Sequence, residues 1–198
     1  AYLNAKWFQG GAAEGTTTLT IHSQAGVSDA MTYEPSGSGA GSVTYLTNDG
    51  TEDNLPPVSF TAVTGLTLAG QSSDVDTFGV DGTTGSDEFV YTPGATPETG
   101  TVTGSMNTNN TPFTLVPITF TGMSQSGMQL INSAFFSQGG GSDSFVFNAG
   151  DSDDVISLAP VLARSFSVTN TVGATAWANL QVDNLDLATF NGGDGMGE

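Results

Sequence analysis

The stretch GGGSDSFVF at residues 139–147 joins a glycine-rich acidic turn to a short run of aromatic and β-branched residues. Such a run, bounded by Gly and Asp, is typical of a β-strand. A second acidic turn follows at Asp151-Ser152-Asp153, and a second strand is predicted from Val155 to Pro160. This succession of turn, strand, turn and strand decides the fold, because the chain contains it three times.

The two earlier copies lie upstream and keep the same order. In the first copy, the strand Thr18 to Ile21 leads to Ser28-Asp29 and to a strand that ends at Pro35. In the second copy, the strand after Asp76 leads to Ser86-Asp87 and to a strand that ends at Pro93. A recurrence of this length indicates an array of similar stacked units.

The recurrence also predicts the domain organisation. We expect one repeat domain over 10–198, with units at about 10–69, 70–138 and 139–198, and an N-terminal arm or cap at 1–9. The chain begins at Ala1 and ends in Gly192 to Glu198, an acidic turn of the type that elsewhere introduces a strand. We therefore expect a processed product or part of a longer repeat protein.

Composition excludes several classes of partner. The 198 residues carry a formal charge of -18, with Lys6 and Arg164 as the only Lys or Arg residues. A nucleic acid is excluded because phosphates need basic side chains, and an anionic membrane surface is disfavoured for the same reason. No stretch approaches the roughly 20 apolar residues of a membrane span, so we expect no membrane insertion. Cysteine is absent, which leaves strands, hydrogen bonds and metal as sources of stability.

The predicted fold class is all-β. Apolar residues alternate with Thr or Ser, as in Thr18-Leu19-Thr20-Ile21, and no segment shows an apolar stripe at helical spacing. The repeats favour a right-handed parallel β-solenoid, in which each unit covers the apolar edge of its neighbour. The alternative is a series of small antiparallel β-sandwiches that share edges.

The acidic turns have the composition of calcium sites. Ca²⁺ prefers six to eight oxygen ligands from carboxylates and backbone carbonyls, and Gly provides the tight turns that bring such oxygens together. We predict the metal ligands among the carboxylates of these turns: Asp74, Asp76, Asp81, Asp87, Glu88, Asp143, Asp151, Asp153, Asp154 and Asp194. The other interpretation is structural, since Asp, Ser and Gly are also common in turns that bind nothing.

The turns GGGSDSF at 139–145, GGDG at 192–195 and GSDEF at 85–89 resemble the Gly/Asp-rich calcium-binding repeats of RTX-type proteins and related large secreted bacterial surface proteins. The full nine-residue motif of that family occurs nowhere in the chain, and the turns recur once or twice per unit. The resemblance implies a diverged relative with a longer period, Ca²⁺ as the cofactor, and an extracellular or bacterial cell-surface location.

The sequence does not favour catalysis. His22 is the only histidine, so a multi-histidine zinc site cannot form, and no serine lies in a nucleophile elbow. We expect a non-catalytic structural module that assembles into a surface layer, matrix or filament, as a homo-oligomer or head-to-tail polymer joined through Gly192 to Glu198 and the N-terminal region. The alternative is an adhesin or carbohydrate-binding module that holds a surface polysaccharide on one β-face.

Overall fold

The computed structural model describes residues 7–9, 16–47, 54–71, 76–108, 110–122, 133–136, 142–149, 154–172, 175–176, 180–183 and 185–192. All regular structure in these residues is β-strand, which confirms the all-β prediction. The strands are β1 (Trp7–Gln9), β2 (Thr18–His22), β3 (Asp29–Gly37), β4 (Ala40–Thr47), β5 (Asn54–Thr61), β6 (Gly65–Ala69), β7 (Thr77–Asp81), β8 (Glu88–Pro93), β9 (Gly100–Thr108), β10 (Thr111–Thr114), β11 (Ile118–Thr121), β12 (Ser133–Phe136), β13 (Ser144–Asn148), β14 (Asp154–Leu162), β15 (Ser165–Val172), β16 (Thr175–Ala176), β17 (Leu180–Asp183) and β18 (Leu187–Asn191).

The strands form two sheets. The first sheet has the order β1-β5-β4-β3-β7-β12-β17-β15-β14, and β16 pairs with β15. The second sheet has the order β18-β13-β8-β9-β11-β6-β2, and β10 pairs with β9. Parallel and antiparallel pairs occur in both sheets. The predicted parallel solenoid is therefore not confirmed, because antiparallel meanders alternate with the parallel pairs.

The chain crosses between the sheets in a succession that occurs three times. A single strand in one sheet is followed by a three-stranded antiparallel meander in the other sheet, and then by a second single strand that pairs in parallel with the first. We call each such group a unit. The units are β2, β3-β4-β5, β6; then β7, β8-β9-β11, β12; then β13, β14-β15-β17, β18. The meander lies in the first sheet in units one and three and in the second sheet in unit two, so consecutive units are inverted.

Consecutive units are joined by two parallel pairings, which together we call the inter-unit interface. The first meander strand of a unit pairs with the first single strand of the next unit, as β3 with β7 and β8 with β13. The second single strand pairs with the last meander strand of the next unit, as β6 with β11 and β12 with β17. The same interface is thus built twice within the chain.

Alternation along the strands places one row of side chains in the core. Met31 and Tyr33 of β3 are fully buried, while the residues between and beyond them are partly or fully exposed. Aromatic rings line the core of units two and three, with centroid separations of 5.4–6.4 Å across the contacts Phe78–Phe120, Tyr91–Phe120, Tyr91–Phe147, Phe147–Phe190 and Phe166–Phe190, and between Phe145 and both Phe166 and Phe190. The Tyr91–Phe147 contact joins these two units. The buried hydrophobic residues of all three units belong to one core cluster.

Candidate functional site

An aspartate stands at the start of five strands that form the parallel pairings. Asp29 is the first residue of β3, while the other four directly precede β7, β8, β13 and β18. They form two series, Asp29 with Asp76 in the first sheet and Asp87 with Asp143 and Asp186 in the second. We call these series the first and second aspartate ladders.

Each ladder links neighbouring strands through backbone N–H groups. The N–H of Asp29 donates to Oδ1 of Asp76 at 2.9 Å, and the N–H of Asp87 donates to Oδ1 of Asp143 at 2.9 Å. The N–H of Asp143 in turn donates to Oδ2 of Asp186 at 3.1 Å. The first two of these bonds cross the inter-unit interface, so each carboxylate fixes the register at which the next unit begins.

Three of these carboxylates also close the loop that precedes their own strand. Oδ2 of Asp29 accepts the N–H of Gln24 at 2.6 Å, and Oδ2 of Asp76 accepts the N–H of Gln71 at 2.6 Å. Oδ2 of Asp87 accepts the N–H of Thr83 at 2.5 Å. Asp suits this position because its short side chain reaches backbone N–H groups in the loop four or five residues earlier.

Four of the five ladder carboxylates are buried, which makes their hydrogen bonds strong and their loss costly. The fifth, Asp186, is exposed and forms an ion pair with Arg164. The exposed fractions are 1% for Asp29, 0% for Asp76, 2% for Asp87 and 1% for Asp143. Burial raises the pKa of Asp87, although hydrogen bonds from Thr83 and Asn107 act in the opposite direction. The pKa of Tyr45 is raised by burial and by its hydroxyl hydrogen bond to Asp29.

Some buried oxygens of these positions have no hydrogen-bond partner within the described residues. They are Oδ1 of Asp29, Oδ2 of Asp143 and Oδ2 of Asp154. A buried carboxylate oxygen without a donor costs free energy. These three oxygens, two on ladder residues and one on Asp154, are therefore the atoms best placed to accept a further donor.

The structure distributes the predicted calcium ligands over different environments. Asp76, Asp87 and Asp143 belong to the ladders, whereas Asp81 is half-buried on β7 and Glu88 is exposed at the start of β8. Burial and the nearby Glu34 carboxylate raise the pKa of Asp81.

The last predicted ligand with described coordinates is Asp154, which accepts the side-chain amide of Asn170 at 2.9 Å. Asp74, Asp151, Asp153 and Asp194 lie outside the described residues. Among the residues that the structure does describe, no group of three or more His, Asp or Glu side chains lies close enough to hold a metal ion.

Sequence reasoning missed Asp29, Tyr45 and Asp186 as members of this network. For the two aspartates the available signal was positional, because each stands directly at the start of a strand. Tyr45 lies within β4 and carries no such signal. The meander registers also place Asp154 at the position of Asp29 and Asp87, since Pro160 corresponds to Pro35 and Pro93. Asp154, and not Asp153 of the Ser152-Asp153 pair, is therefore the unit-three residue equivalent to Asp29 and Asp87.

The second candidate site is the C-terminal end face, which consists of β14 and β18. β14 is the last strand of the first sheet and β18 is the last strand of the second. Contacts of the Phe166 ring with Phe145 and Phe190 show that the two sheets meet at this end. Leu158 lies two residues after Ile156 on β14 and therefore on the same side of the strand. Ile156 packs against the core, yet Leu158 is 52% exposed. This end face therefore exposes apolar core positions.

The N-terminal end face consists of β1 and β2, which end the two sheets on the opposite side. Leu19 and Ile21 of β2 pack against the core but remain half-buried. In the first sheet, β5 pairs in parallel with β1 over Trp7 to Gln9. Among the described residues, both end faces thus present the edge strand of a sheet beside incompletely buried apolar residues.

No protein family model, no curated protein and no solved structure matches this chain. Within the described residues, no helix is present that is long and apolar enough to cross a membrane.

Proposed function

We propose that this chain is a non-catalytic structural repeat module of an extracellular or bacterial cell-surface protein, and that it assembles end to end into a layer, matrix or filament. The observation that carries this proposal is the inter-unit interface, which the chain builds twice. In the described residues, β14, β18 and β2 each have one edge without a partner strand at the ends of the sheets. An open sheet edge is a template for pairing with another chain unless it is blocked. The finer form of the proposal is a short right-handed solenoid that continues from copy to copy.

The chemistry of the described side chains supports a scaffold over a binding module. The large hydrophobic residues that are exposed in the described residues are all aliphatic: Leu46, Val155, Leu158, Val161 and Leu187. Three of the five lie on β14, at one end of the stack. Sugar-binding faces generally use exposed aromatic rings, whereas Tyr33, Tyr45 and Tyr91 are buried. A carbohydrate-binding face is therefore the weaker alternative.

Calcium stabilisation is part of the proposal for the acidic turns. The net charge of -18 is repulsive, and a bound divalent cation would relieve that repulsion wherever carboxylates cluster. Asp151, Asp153 and Asp154 lie within four consecutive residues and form the densest set of predicted ligands. Ca²⁺ at such a turn would add stability and would leave the ladder hydrogen bonds in place.

Sedimentation velocity and negative-stain electron microscopy of the full chain test the proposal. We expect species that grow with protein concentration and appear as linear or sheet-like assemblies, because two different end faces propagate rather than close. Salt should promote growth, since the Debye length falls from about 8 Å at 0.15 M to about 3 Å at 1 M ionic strength. A monomer at every concentration, salt level and Ca²⁺ level would contradict the assembly function.

A further inference from the structure

We propose that the two end faces are the two halves of one inter-unit interface, so that a second copy of this chain docks head to tail by parallel strand pairing. In this arrangement β14 of one copy pairs with β2 of the next, and β18 pairs with β5 of the next copy in the place of β1. The inference rests on the proposed assembly function and specifies its partner and its contacts.

The strand positions support this docking. Within the chain, the first meander strand always receives the first single strand of the next unit, as β3 receives β7 and β8 receives β13. β14 is the first meander strand of unit three, and its outer edge has no partner strand among the described residues. β2 is the first single strand of unit one, and its outer edge is likewise open in the described part of the second sheet.

The side chains along these edges are complementary. Inside the chain, the core-facing pairs are Met31 with Phe78 and Tyr33 with Val80. In unit three, Ile156 and Leu158 hold the positions of Met31 and Tyr33, since Pro160 corresponds to Pro35. In unit one, Leu19 and Ile21 of β2 are equivalent to Phe145 and Phe147 of β13. Leu19 and Ile21 pair with β6 in the same way as Phe145 and Phe147 pair with β18. Docking therefore places Leu19 beside Ile156 and Ile21 beside Leu158.

Burial shows what the docked strand would change. Leu158 is 52% exposed, whereas Tyr33 and Tyr91, at the equivalent positions with a neighbouring strand in place, are 0% and 1% exposed. Leu19 and Ile21 are half-buried, while Phe78 and Val80 of the paired strand β7 are fully buried. The unsatisfied apolar surface thus lies at the positions that the inter-unit interface buries elsewhere.

β1 occupies the position of a strand that would come from the preceding unit. The last meander strands β11 and β17 each pair with the second single strand of the unit before, β6 and β12. β5 is the last meander strand of unit one, and β1 takes this position with three paired residues. β18 is a second single strand of five residues. β18 of a preceding copy can therefore pair with β5 over more residues than β1 does. In the docked arrangement β18 displaces β1 from β5.

Two matched lysine variants of the full chain test the docking. Leu158→Lys places a charge at a position that docking buries, so we expect end-to-end association to weaken at least about a hundredfold. Val155→Lys adds the same charge to the opposite face of β14, where the side chain is 62% exposed, and should change association by less than about threefold. Circular dichroism of both variants verifies the fold before sedimentation.

A complementary variant keeps the proposal testable if Leu158→Lys fails to fold. Ile21→Lys blocks the N-terminal end face, so either variant alone should stay monomeric. A mixture of Leu158→Lys and Ile21→Lys retains one intact end on each copy and should give a dimer that does not grow.

The outcomes separate this inference from the proposed function. If the wild-type chain assembles and Leu158→Lys and Val155→Lys assemble equally well, the end-face docking is wrong. The assembly function is then unaffected. A wild-type chain that stays monomeric under every condition overturns both. Loss of growth confined to Leu158→Lys and Ile21→Lys, with a dimer in their mixture, supports the docking.

Discussion

Replacement of Asp87 by Ala tests whether the aspartate ladders stabilise the fold by hydrogen bonding. Asp87 accepts the N–H of Thr83 at 2.5 Å, the hydroxyl of Thr83 at 2.8 Å and the N–H of Asn107 at 3.1 Å. Its own N–H donates to Asp143 at 2.9 Å, a bond that the substitution leaves in place. Asp87→Ala therefore removes three acceptor interactions and leaves two backbone N–H groups without a carboxylate.

The expected loss follows from these contacts. Hydrogen bonds to a charged group contribute about 1.5–3 kcal/mol each, but bonds that share one carboxylate are not additive. Burial of the charge offsets part of the gain, in agreement with the raised pKa of Asp87. We therefore expect Asp87→Ala to lower the free energy of unfolding by about 3–5 kcal/mol, against a typical total of about 5–15 kcal/mol.

Urea unfolding at pH 7, followed by near-ultraviolet circular dichroism, measures this loss. Glu88→Gln is the matched control, because Glu88 is the next residue along the chain and is exposed, and it should change the free energy of unfolding by less than about 0.5 kcal/mol. Both variants are measured with EDTA and with Ca²⁺. A loss below about 1 kcal/mol for Asp87→Ala refutes the hydrogen-bond interpretation. A loss that appears only with Ca²⁺ would assign Asp87 to a cation instead.

Three further measurements address packing, pH and metal. Gly100→Ala should destabilise by about 1–3 kcal/mol in urea unfolding, because a Cβ at Gly100 would lie 2.5 Å from Cζ of Phe120. Asp81→Asn should stabilise the fold at pH 7. Burial and Glu34 raise the pKa of Asp81 in the folded state, so the ionised group disfavours folding. This advantage should vanish as pH falls through the raised pKa to below about 3.9, where the wild-type group is protonated in both states. Excess EDTA should lower the thermal midpoint relative to Ca²⁺, and an unchanged midpoint would remove calcium from the proposal.

The fold class could be predicted from the sequence because local signals determine it. Alternation of Thr with apolar residues, as in Thr18 to Ile21, specifies a strand wherever it occurs. The first meander strand of each unit has an Asp at its start and a Pro six residues later, although β3 and β14 continue past that Pro to Gly37 and Leu162. These features depend on neighbours within a few residues, and a sequence pattern contains them.

The sheet arrangement could not be predicted in the same way. Whether a strand pairs in parallel or antiparallel depends on the length and path of the connection after it, and the units differ in both. The inversion of unit two puts β8 in the second sheet, although β3 at the equivalent position lies in the first. Both sheets offer the same alternation of side chains, so no residue type marks the change.

The sequence predicted several residues of the aspartate ladders, but it did not predict that their carboxylates accept backbone hydrogen bonds. An Asp in a Gly-rich turn has the same appearance whether its oxygens accept N–H groups or bind a cation. Asp76, Asp87 and Asp143 were selected for their carboxylates, and the structure shows that those carboxylates accept backbone hydrogen bonds in a buried setting. The decisive variable is burial between two units, which appears only once the strands are paired.

The ladders also predict how strongly two copies hold together. Asp76 and Asp143 stand directly before the incoming strands β7 and β13, and each accepts an N–H from the unit before. The residue at this position before β2 is Thr17, which has no carboxylate. A copy docked on β14 therefore cannot extend a ladder to Asp154, and association between copies should be weaker and more reversible than the contacts between units.

Thr17→Asp should restore the ladder across that contact. One charge-assisted hydrogen bond contributes about 1.5 kcal/mol, which corresponds to roughly tenfold tighter association. The added negative charge acts against this gain, so Thr20→Asp, on the exposed face of β2, is the control for charge alone. Sedimentation equilibrium should rank the association constants as Thr17→Asp above wild type and wild type at or above Thr20→Asp. If both variants weaken association equally, charge repulsion dominates, and the ladder position contributes nothing between copies.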